Sequence, residues 1–312
     1  GQERSTRYQA FKRGGGYYIP QSVKGTPLEA GYVECAEFLL GEYEFFSQAC
    51  FDIYVKANPK PPEIKQDQYE RTLRARAFDL ARYFLFGGIL TSVGQVTNAR
   101  TLERQISRLM SSEYPELRNV AEDMKRACIE KPYCPEGKDE PPVAPTLVKY
   151  TKPNKYLLDI RSEIRKFAQN IGIPVEEKRD TDLVTPDDLD TEIIASFLYG
   201  ASQCSYRDLC NFVGEWDQEG KKRFLEEVSS LRGDHDPLSR EFASGYAVQF
   251  DVVMDRGGAR DLHRHRWCIQ ILQALSTLRG FDVPVLLDDE GLGERFRAGM
   301  LKTKAVVDKL EK

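Results

Sequence analysis

The sequence lacks any run of about 18 apolar residues, which is the length that a membrane-spanning helix needs. Its beginning also lacks the pattern of a secretory signal peptide, and we therefore expect a soluble, cytoplasmic protein without a membrane partner. An excess of positive charge is missing too, since 45 lysines and arginines stand against 49 acids, for a net charge of −4. This balance argues against nucleic acid as a partner, because nucleic-acid-binding domains are usually basic overall.

The cysteines lack Cys-x-x-Cys spacing, and their number is odd. Such a set fits reduced thiols better than a disulfide framework or a zinc knuckle. The seven are Cys35, Cys50, Cys128, Cys134, Cys204, Cys210 and Cys268. The run of three glycines at 14–16 lacks the Gly-Lys-Ser/Thr of a phosphate-binding loop, and it indicates a flexible turn.

Histidine is scarce, and two of the three histidines form the pair His263-x-His265. A metal site needs further ligands nearby, and only Asp261 and Cys268 stand close in sequence. We therefore predict that the chain binds no metal here.

What the chain does have is a concentration of arginine at a few places. Arg100, Arg104 and Arg108 recur at i, i+4 and i+8, so a helix would align them in one row, which we call the arginine stripe. Leu102 and Ile106 would face the core from the other side, together with Leu109. A row of guanidinium groups on an apolar backing suits a large anion that carries phosphates. The alternative is a solvated helix face with its own acids, of which only Glu103 is near.

Apolar spacing predicts a mainly helical protein of one large domain or two ordinary ones. A helix of about eight turns is expected between Thr26 and Pro59, and its aromatic stripe favours packing over a cofactor site. Further helices are expected at 66–86, from Asn98 as N-cap, and at 115–128, 156–171, 187–199, 206–213, 218–230 and 290–310. Alternation from Tyr246 to Met254 predicts a strand, and 172–184 is expected to be a polar connection. Five prolines at 131–150 indicate a linker and the best domain boundary.

Three motifs resemble those of one family. Arg264-His265-Arg266 follows the predicted strand, and Glu3-x-Ser5-x-Arg7-Tyr8 stands near the front of the chain. Together they resemble the halves of R-H-R-x-x-S-x-N-E-x-S-x-R-Y, the signature of flavin-dependent thymidylate synthases. Ala81-Arg82 through Asn98-Ala99-Arg100 also resembles the family's A-R…N-x-R segment at the same internal spacing. The resemblance covers roughly residues 2–130 and 185–310 and leaves out the linker.

The order of these motifs implies two tandem synthase-like repeats. Residues 1–130 resemble the C-terminal part of a first repeat, and 185–312 resemble the N-terminal part of a second, with 131–184 as linker and connecting helix. A circular permutation that rebuilds one domain is the alternative. The resemblance implies an α+β fold, with long helices around a small mixed or antiparallel sheet. It also implies a homo-oligomer whose sites are shared between repeats or subunits.

The resemblance implies FAD as the cofactor. In the family, the residues of R-H-R and of N-x-R contact the flavin. The flavin pyrophosphate also favours arginine forks, which the stripe offers at Arg104. The flavin candidates are therefore Asn98, Arg100, Arg104, Arg264, His265 and Arg266.

The resemblance also implies a pyrimidine nucleotide as substrate, with methylene-tetrahydrofolate and NADPH as co-substrates. The family's A-R arginine lies against the base, so Arg82 is the catalytic candidate, together with Ser5. A fixed arginine can polarise a uracil where charge develops, without a cysteine nucleophile. Glu3 and Arg7 match residues that hold the nucleotide, and Arg108 matches a further nucleotide arginine after a shift of one position.

The sequence departs from the family pattern in the second repeat. Ile269 and Ala274 stand where the signature has serines, and Ile271 replaces its asparagine. Phe242 replaces a histidine associated with turnover, and Asp261 replaces a glutamine. The departures favour a divergent relative that binds flavin or nucleotide without synthase activity, as the alternative to dUMP methylation. A third class is a structural protein whose arginines form salt bridges.

Overall fold

The computed structural model describes residues 2–137, 139–170, 172, 181–246, 248–265 and 268–310, without the side chains of residues 2 and 3. Contacts divide the chain into two compact units. The first unit combines Gly1–Thr97 with Thr277–Lys312, and the second unit is Asn98–Ser276. Each is taken by itself below.

Helices dominate both units, and the strands form two short antiparallel pairs in the described part of the chain. The helices are α1 (Glu29–Ala57), α2 (Gln66–Ala81), α3 (Ala99–Met110), α4 (Pro115–Ile129), α5 (Pro145–Val148), α6 (Lys155–Gln169), α7 (Leu189–Ala201), α8 (Tyr206–Gly214), α9 (Gln218–Ser230), α10 (Arg256–Leu262), α11 (Val285–Asp289) and α12 (Gly293–Leu310). The strands are β1 (Gln2–Glu3), β2 (Val93–Gly94), β3 (Thr181–Val184) and β4 (Gln249–Val252). This content is compatible with the α+β class expected from the sequence.

The core of the first unit is aromatic. Phe46 of α1 stacks on Phe84 at 4.9 Å between ring centroids, and Phe296 of α12 meets Phe84 edge-on at 5.2 Å. All three side chains are buried, as is Tyr43 of α1. The aromatic stripe of the first long helix is therefore used for packing, as predicted.

Within the first unit, an ion pair joins α12 to α1. Arg295 of α12 donates to both carboxylate oxygens of Glu42 on α1, at 2.8 and 2.9 Å. Glu42 is buried, and the guanidinium of Arg295 lies 3.4 Å from the centroid of the Phe45 ring. Such a two-pronged contact fixes the relative position of the two helices.

The β1–β2 pair brings the front of the chain beside the segment that follows α2. Gln2 pairs with Gly94 and Glu3 with Val93, and the amide of Arg4 donates to the carbonyl of Ser92 at 2.9 Å. This pairing holds residues 4–8, with their predicted site residues, within the first unit.

The second unit has two apolar clusters. The larger is formed by α6, α7, α8 and α9 with Val184 of β3, and the smaller by α3, α4 and α5. The Pro-rich residues 131–150 lie inside this unit, because Val148 of α5 is fully buried with Ile106 and Met110 of α3. The boundaries of the compact units therefore differ from the boundaries expected for the synthase-like repeats. The division into 1–130, 131–184 and 185–312 stays a prediction about those repeats.

Strand β3 lies where a polar connection was expected. It pairs with β4 from Thr181↔Val252 to Val184↔Gln249. Asp251 of β4 is buried and accepts hydrogen bonds from the Tyr199 hydroxyl at 2.8 Å and the Tyr206 amide at 2.9 Å. Strand β3 reads Thr-Asp-Leu-Val and has only Val184 buried, so it lacks the apolar alternation that predicted a strand around β4.

All seven cysteines are free thiols, in agreement with their irregular spacing. Within the described residues, none of the helices combines the length and the apolar character that crossing a membrane requires.

Candidate functional site

Two arginines predicted for the nucleotide meet at one carboxylate of the first unit. Arg7 Nη2 lies 2.9 Å from Asp79 Oδ2, and Arg82 Nη2 lies 3.3 Å from Asp79 Oδ1. Asp79 stands in the last turn of α2, and Arg82 begins the 3-10 turn that continues it. The structure thus joins a residue near the front of the chain to one that follows α2. The side chains of Arg7 and Arg82 are 53% and 38% exposed, and each guanidinium has more N–H donors than its contact with Asp79 uses.

The turn before Arg7 is shaped by Ser5. Its hydroxyl oxygen accepts a hydrogen bond from the Arg7 amide at 3.2 Å, which orders the backbone that presents the Arg7 side chain. Arg4 lies over the Phe11 ring at 4.3 Å and donates to the carbonyl of Ala10 at 2.7 Å. Ser5 therefore supports the site through the backbone. Glu3 lies in β1, and its side chain is outside the described residues.

The first unit also has a cavity of about 270 Å³, and Arg7, Asp79 and Arg82 are not among the residues that line it. It is lined by Tyr8 and Phe78, the neighbours in sequence of Arg7 and Asp79, and by charged side chains of α2. Tyr8 is 67% exposed, and the guanidinium carbon of Arg7 lies over its ring at 5.9 Å from the centroid.

The arginine stripe of α3 belongs to the second unit. Asn98 caps the helix, and its Oδ1 accepts a hydrogen bond from the Thr101 amide at 2.8 Å, as predicted. Ile106 is buried, whereas Arg100, Arg104 and Arg108 are exposed and make no ion pair with any described residue. Glu103 makes none either, so it does not neutralise the stripe.

The predicted R-H-R residues follow the short helix α10. Arg264 Nη1 lies 3.5 Å from Asp261 Oδ1, and both side chains are 72% exposed. His265 is exposed, and its carbonyl accepts a hydrogen bond from Gln270 Nε2 at 3.0 Å. Arg266 lies outside the described residues. In the part of the chain that the structure describes, no group of three His, Cys, Asp or Glu side chains could hold a metal ion.

Phe242, which the sequence resemblance aligned with a histidine, is part of the core of the second unit. Its ring packs edge-on against Phe197 of α7 at 5.1 Å and joins the larger cluster of the second unit. An aromatic side chain in this place stabilises packing and cannot transfer a proton.

Sequence reasoning located the arginines but missed Asp79, and it named Tyr8 only as a motif residue without a role. The signal for Asp79 was its i, i+3 spacing to Arg82, which a helix turns into an ion pair. Arg7 and Arg82 lie in the first unit, and Asn98, the arginine stripe, Arg264 and His265 lie in the second.

Comparison with known proteins finds relatives that carry the name UPF0159 protein. One from Chlamydia muridarum is 27% identical over 96% of this chain and 57% of its own length. One from Chlamydia pneumoniae is 24% identical over 96% of this chain and 57% of its own length. One from Thermoplasma acidophilum is 24% identical over 91% of this chain and 60% of its own length. The chain thus spans somewhat more than half the length of these curated relatives, whose name states no reaction.

No family model matches the chain, and no solved structure matches it.

Proposed function

We propose that the protein methylates dUMP to dTMP with methylene-tetrahydrofolate and reduced FAD, in the manner of the flavin-dependent thymidylate synthases that its sequence resembles. NADPH is the proposed electron donor and the cytoplasm the proposed location. The long helices and short antiparallel strand pairs are compatible with that family's fold, which is part of the proposal.

The observation that carries the proposal is the meeting of Arg7 and Arg82 at Asp79. The family resemblance assigns both arginines to one nucleotide, although they come from distant parts of the chain. Their contact with the same carboxylate was not used in making that assignment. Two guanidinium groups with free donors suit a ligand with a phosphate and polar ring oxygens.

The stripe of α3 fits the anionic part of FAD. Arg100, Arg104 and Arg108 are exposed cations on one helix face and have no acidic partner among the described residues. A pyrophosphate and guanidinium groups form paired, charge-assisted hydrogen bonds, so these residues would hold the cofactor at its phosphates. Arg264 and His265 would contact the flavin as well, as the family resemblance implies.

The chemistry requires a polarised uracil. Arg82, held by a carboxylate, can stabilise negative charge that develops on a uracil carbonyl without needing a cysteine nucleophile. Hydride transfer is supplied by reduced FAD when it is bound, while the folate supplies the carbon. The residues of this chain bind the reactants and orient them. Since the two motif halves come from two repeats, we propose that complete sites are shared between repeats or between subunits of a homo-oligomer.

A second candidate function is a divergent relative that binds flavin or nucleotide without synthase activity. Phe242 favours it, because this side chain is committed to the core where the family has an imidazole. Asp261 favours it too, since its carboxylate partly neutralises Arg264.

Release of tritium from C5-labelled dUMP tests the proposal. With FAD, NADPH and methylene-tetrahydrofolate, the wild type should release tritium, and Arg82→Gln should reduce the rate roughly 100-fold, as loss of a charge-stabilising donor does. Arg126→Gln removes an exposed arginine of α4 that pairs only with nearby acids, and it should leave the rate unchanged. Binding of flavin and dUMP without release would favour the second candidate, and binding of neither would exclude both.

A further inference from the structure

Asp79 has a role that the family resemblance does not assign. One of its oxygens contacts Arg7 and the other contacts Arg82, and the carboxylate side chain is 25% exposed. The side chains of both arginines are more exposed than that of Asp79, so Asp79 is the most buried of the three. We propose that Asp79 is a positioning residue that holds Arg7 and Arg82 so that both face the same nucleotide. This inference rests on the proposed function.

Charge is the first argument. Two guanidinium groups beside one carboxylate would repel each other if that carboxylate were neutral, and the repulsion is stronger away from bulk water. Asp79 cancels one of the two charges and leaves a net positive site for an anion. No other acid forms an ion pair with Arg7 or Arg82 among the described residues.

Hydrogen bonding is the second argument. Asp79 Oδ1 is buried and has no hydrogen-bond donor among the described residues, although Arg82 Nη2 is 3.3 Å away. A buried acceptor without a donor is unusual, and here the charge of the neighbouring guanidinium compensates it. Arg82 is therefore held by charge in an orientation that leaves its N–H groups directed elsewhere, available to a ligand.

The substitution Asp79→Asn tests both arguments with little change of shape. An amide offers one acceptor oxygen and one NH₂ donor, so it can accept from one guanidinium but presents a donor to the other. One of the two arginines should leave its position. We expect the Kd for dUMP, measured by titration calorimetry on the full chain, to rise about tenfold, which corresponds to loss of one charge-assisted contact.

Asp79→Glu is the conservative variant. It keeps the carboxylate, so both guanidinium groups retain a charged acceptor. We expect its Kd for dUMP to stay within about threefold of the wild-type value, because small geometric changes at half-exposed ion pairs have small effects. A merely structural role would not distinguish the two variants in this way, since both disturb packing.

Asp123→Asn is the matched control. Asp123 of α4 pairs with Arg126 at the same i, i+3 spacing and is exposed. This variant should bind dUMP like the wild type.

The outcomes separate the two proposals. Wild-type binding of dUMP with equal binding by Asp79→Asn would overturn the positioning role alone. Weakened binding by Asp79→Glu to the level of Asp79→Asn would also overturn it. Absence of dUMP binding by the wild type would overturn the proposed function.

Discussion

At the scale of single residues, the arginines differ in their partners, and this difference sorts their expected roles. Arg7 and Arg82 share Asp79, whereas Arg264 pairs with Asp261 in an exposed contact. Those of the arginine stripe have no acidic partner among the described residues. The stripe can therefore bind an anion without breaking an ion pair, whereas Arg7 and Arg82 would bind one with the N–H donors that Asp79 leaves free.

In contrast to the exposed arginines of the stripe, one lysine is buried and forms an ion pair. Lys221 of α9 is almost fully buried and donates to Asp188 Oδ2 at 2.9 Å and to Thr191 Oγ1 at 2.8 Å. Asp188 also caps α7 by accepting from the Thr191 amide at 2.8 Å. These three hydrogen bonds pair the lysine ammonium group and the Thr191 amide with acceptors inside the second unit. This network therefore belongs to stability, and no ligand is needed to explain it.

The acid stability of the protein should depend on Asp188. Burial raises the pKa of this carboxyl, but hydrogen bonds from Thr191 and Lys221 outweigh burial and lower it from 3.8 to about 2. A lowered pKa means that the carboxylate stabilises the fold above its ordinary value, and that this stabilisation is lost as the pH falls toward 2. Urea unfolding should show Asp188→Asn less stable than the wild type at neutral pH, with a difference that shrinks below pH 4. A difference that stays constant down to pH 2 would contradict this assignment.

At the scale of elements, helices were predictable because their signals are local. The bounds of α9 coincide with the predicted 218–230, and α3 begins after the predicted cap Asn98. Strands were less predictable, because a strand extends only as far as its partner. The alternation from Tyr246 to Met254 indicated nine residues, yet β4 has four, the length of β3. The helix α10 was missed, since it lies in a basic cluster without apolar spacing.

Two substitutions of Asn98, the N-cap of α3, distinguish its contribution to stability from its proposed contact with the flavin. Asn98→Ala removes the acceptor of the Thr101 amide and should cost about 1 kcal/mol in the free energy of unfolding. Asn98→Ser keeps a capping oxygen and should cost only a few tenths of a kcal/mol. Since serine lacks the amide NH₂, this variant should still bind FAD more weakly if Asn98 contacts the flavin. Unfolding in urea and titration with FAD measure the two effects, and unchanged FAD affinity in Asn98→Ser would remove Asn98 from the flavin site.

At the scale of the whole molecule, the compact units could not be predicted from local sequence. Glu42 and Arg295 are 253 positions apart, and their ion pair joins the late residues to the first unit. The prolines of 131–150 indicated a boundary, but buried Val148 includes this segment in the second unit. Composition reports local stiffness and polarity, whereas a unit is defined by contacts between distant residues.

The same limit applies to the candidate site. The arginines were found in sequence because motifs preserve their spacing, and the structure adds which of them share a carboxylate. Asp79 gave only a weak signal, since an acid three residues before an arginine is common on helices. Its importance follows from Arg7, which β1–β2 pairing brings to the first unit near the end of α2.

Titration of the purified full chain with FAD, followed by its visible absorption bands, tests the central claim that guanidinium groups of this protein bind a flavin. We expect the wild type to perturb the flavin spectrum and the triple variant Arg100→Gln, Arg104→Gln, Arg108→Gln to bind at least about tenfold more weakly, because charge-assisted phosphate contacts are lost. A control with Arg126→Gln, Lys222→Gln and Arg223→Gln removes the same charge from α4 and α9 and should bind like the wild type. A wild type that leaves the flavin spectrum unchanged, or a control that weakens binding as much as the stripe variant, would contradict the claim.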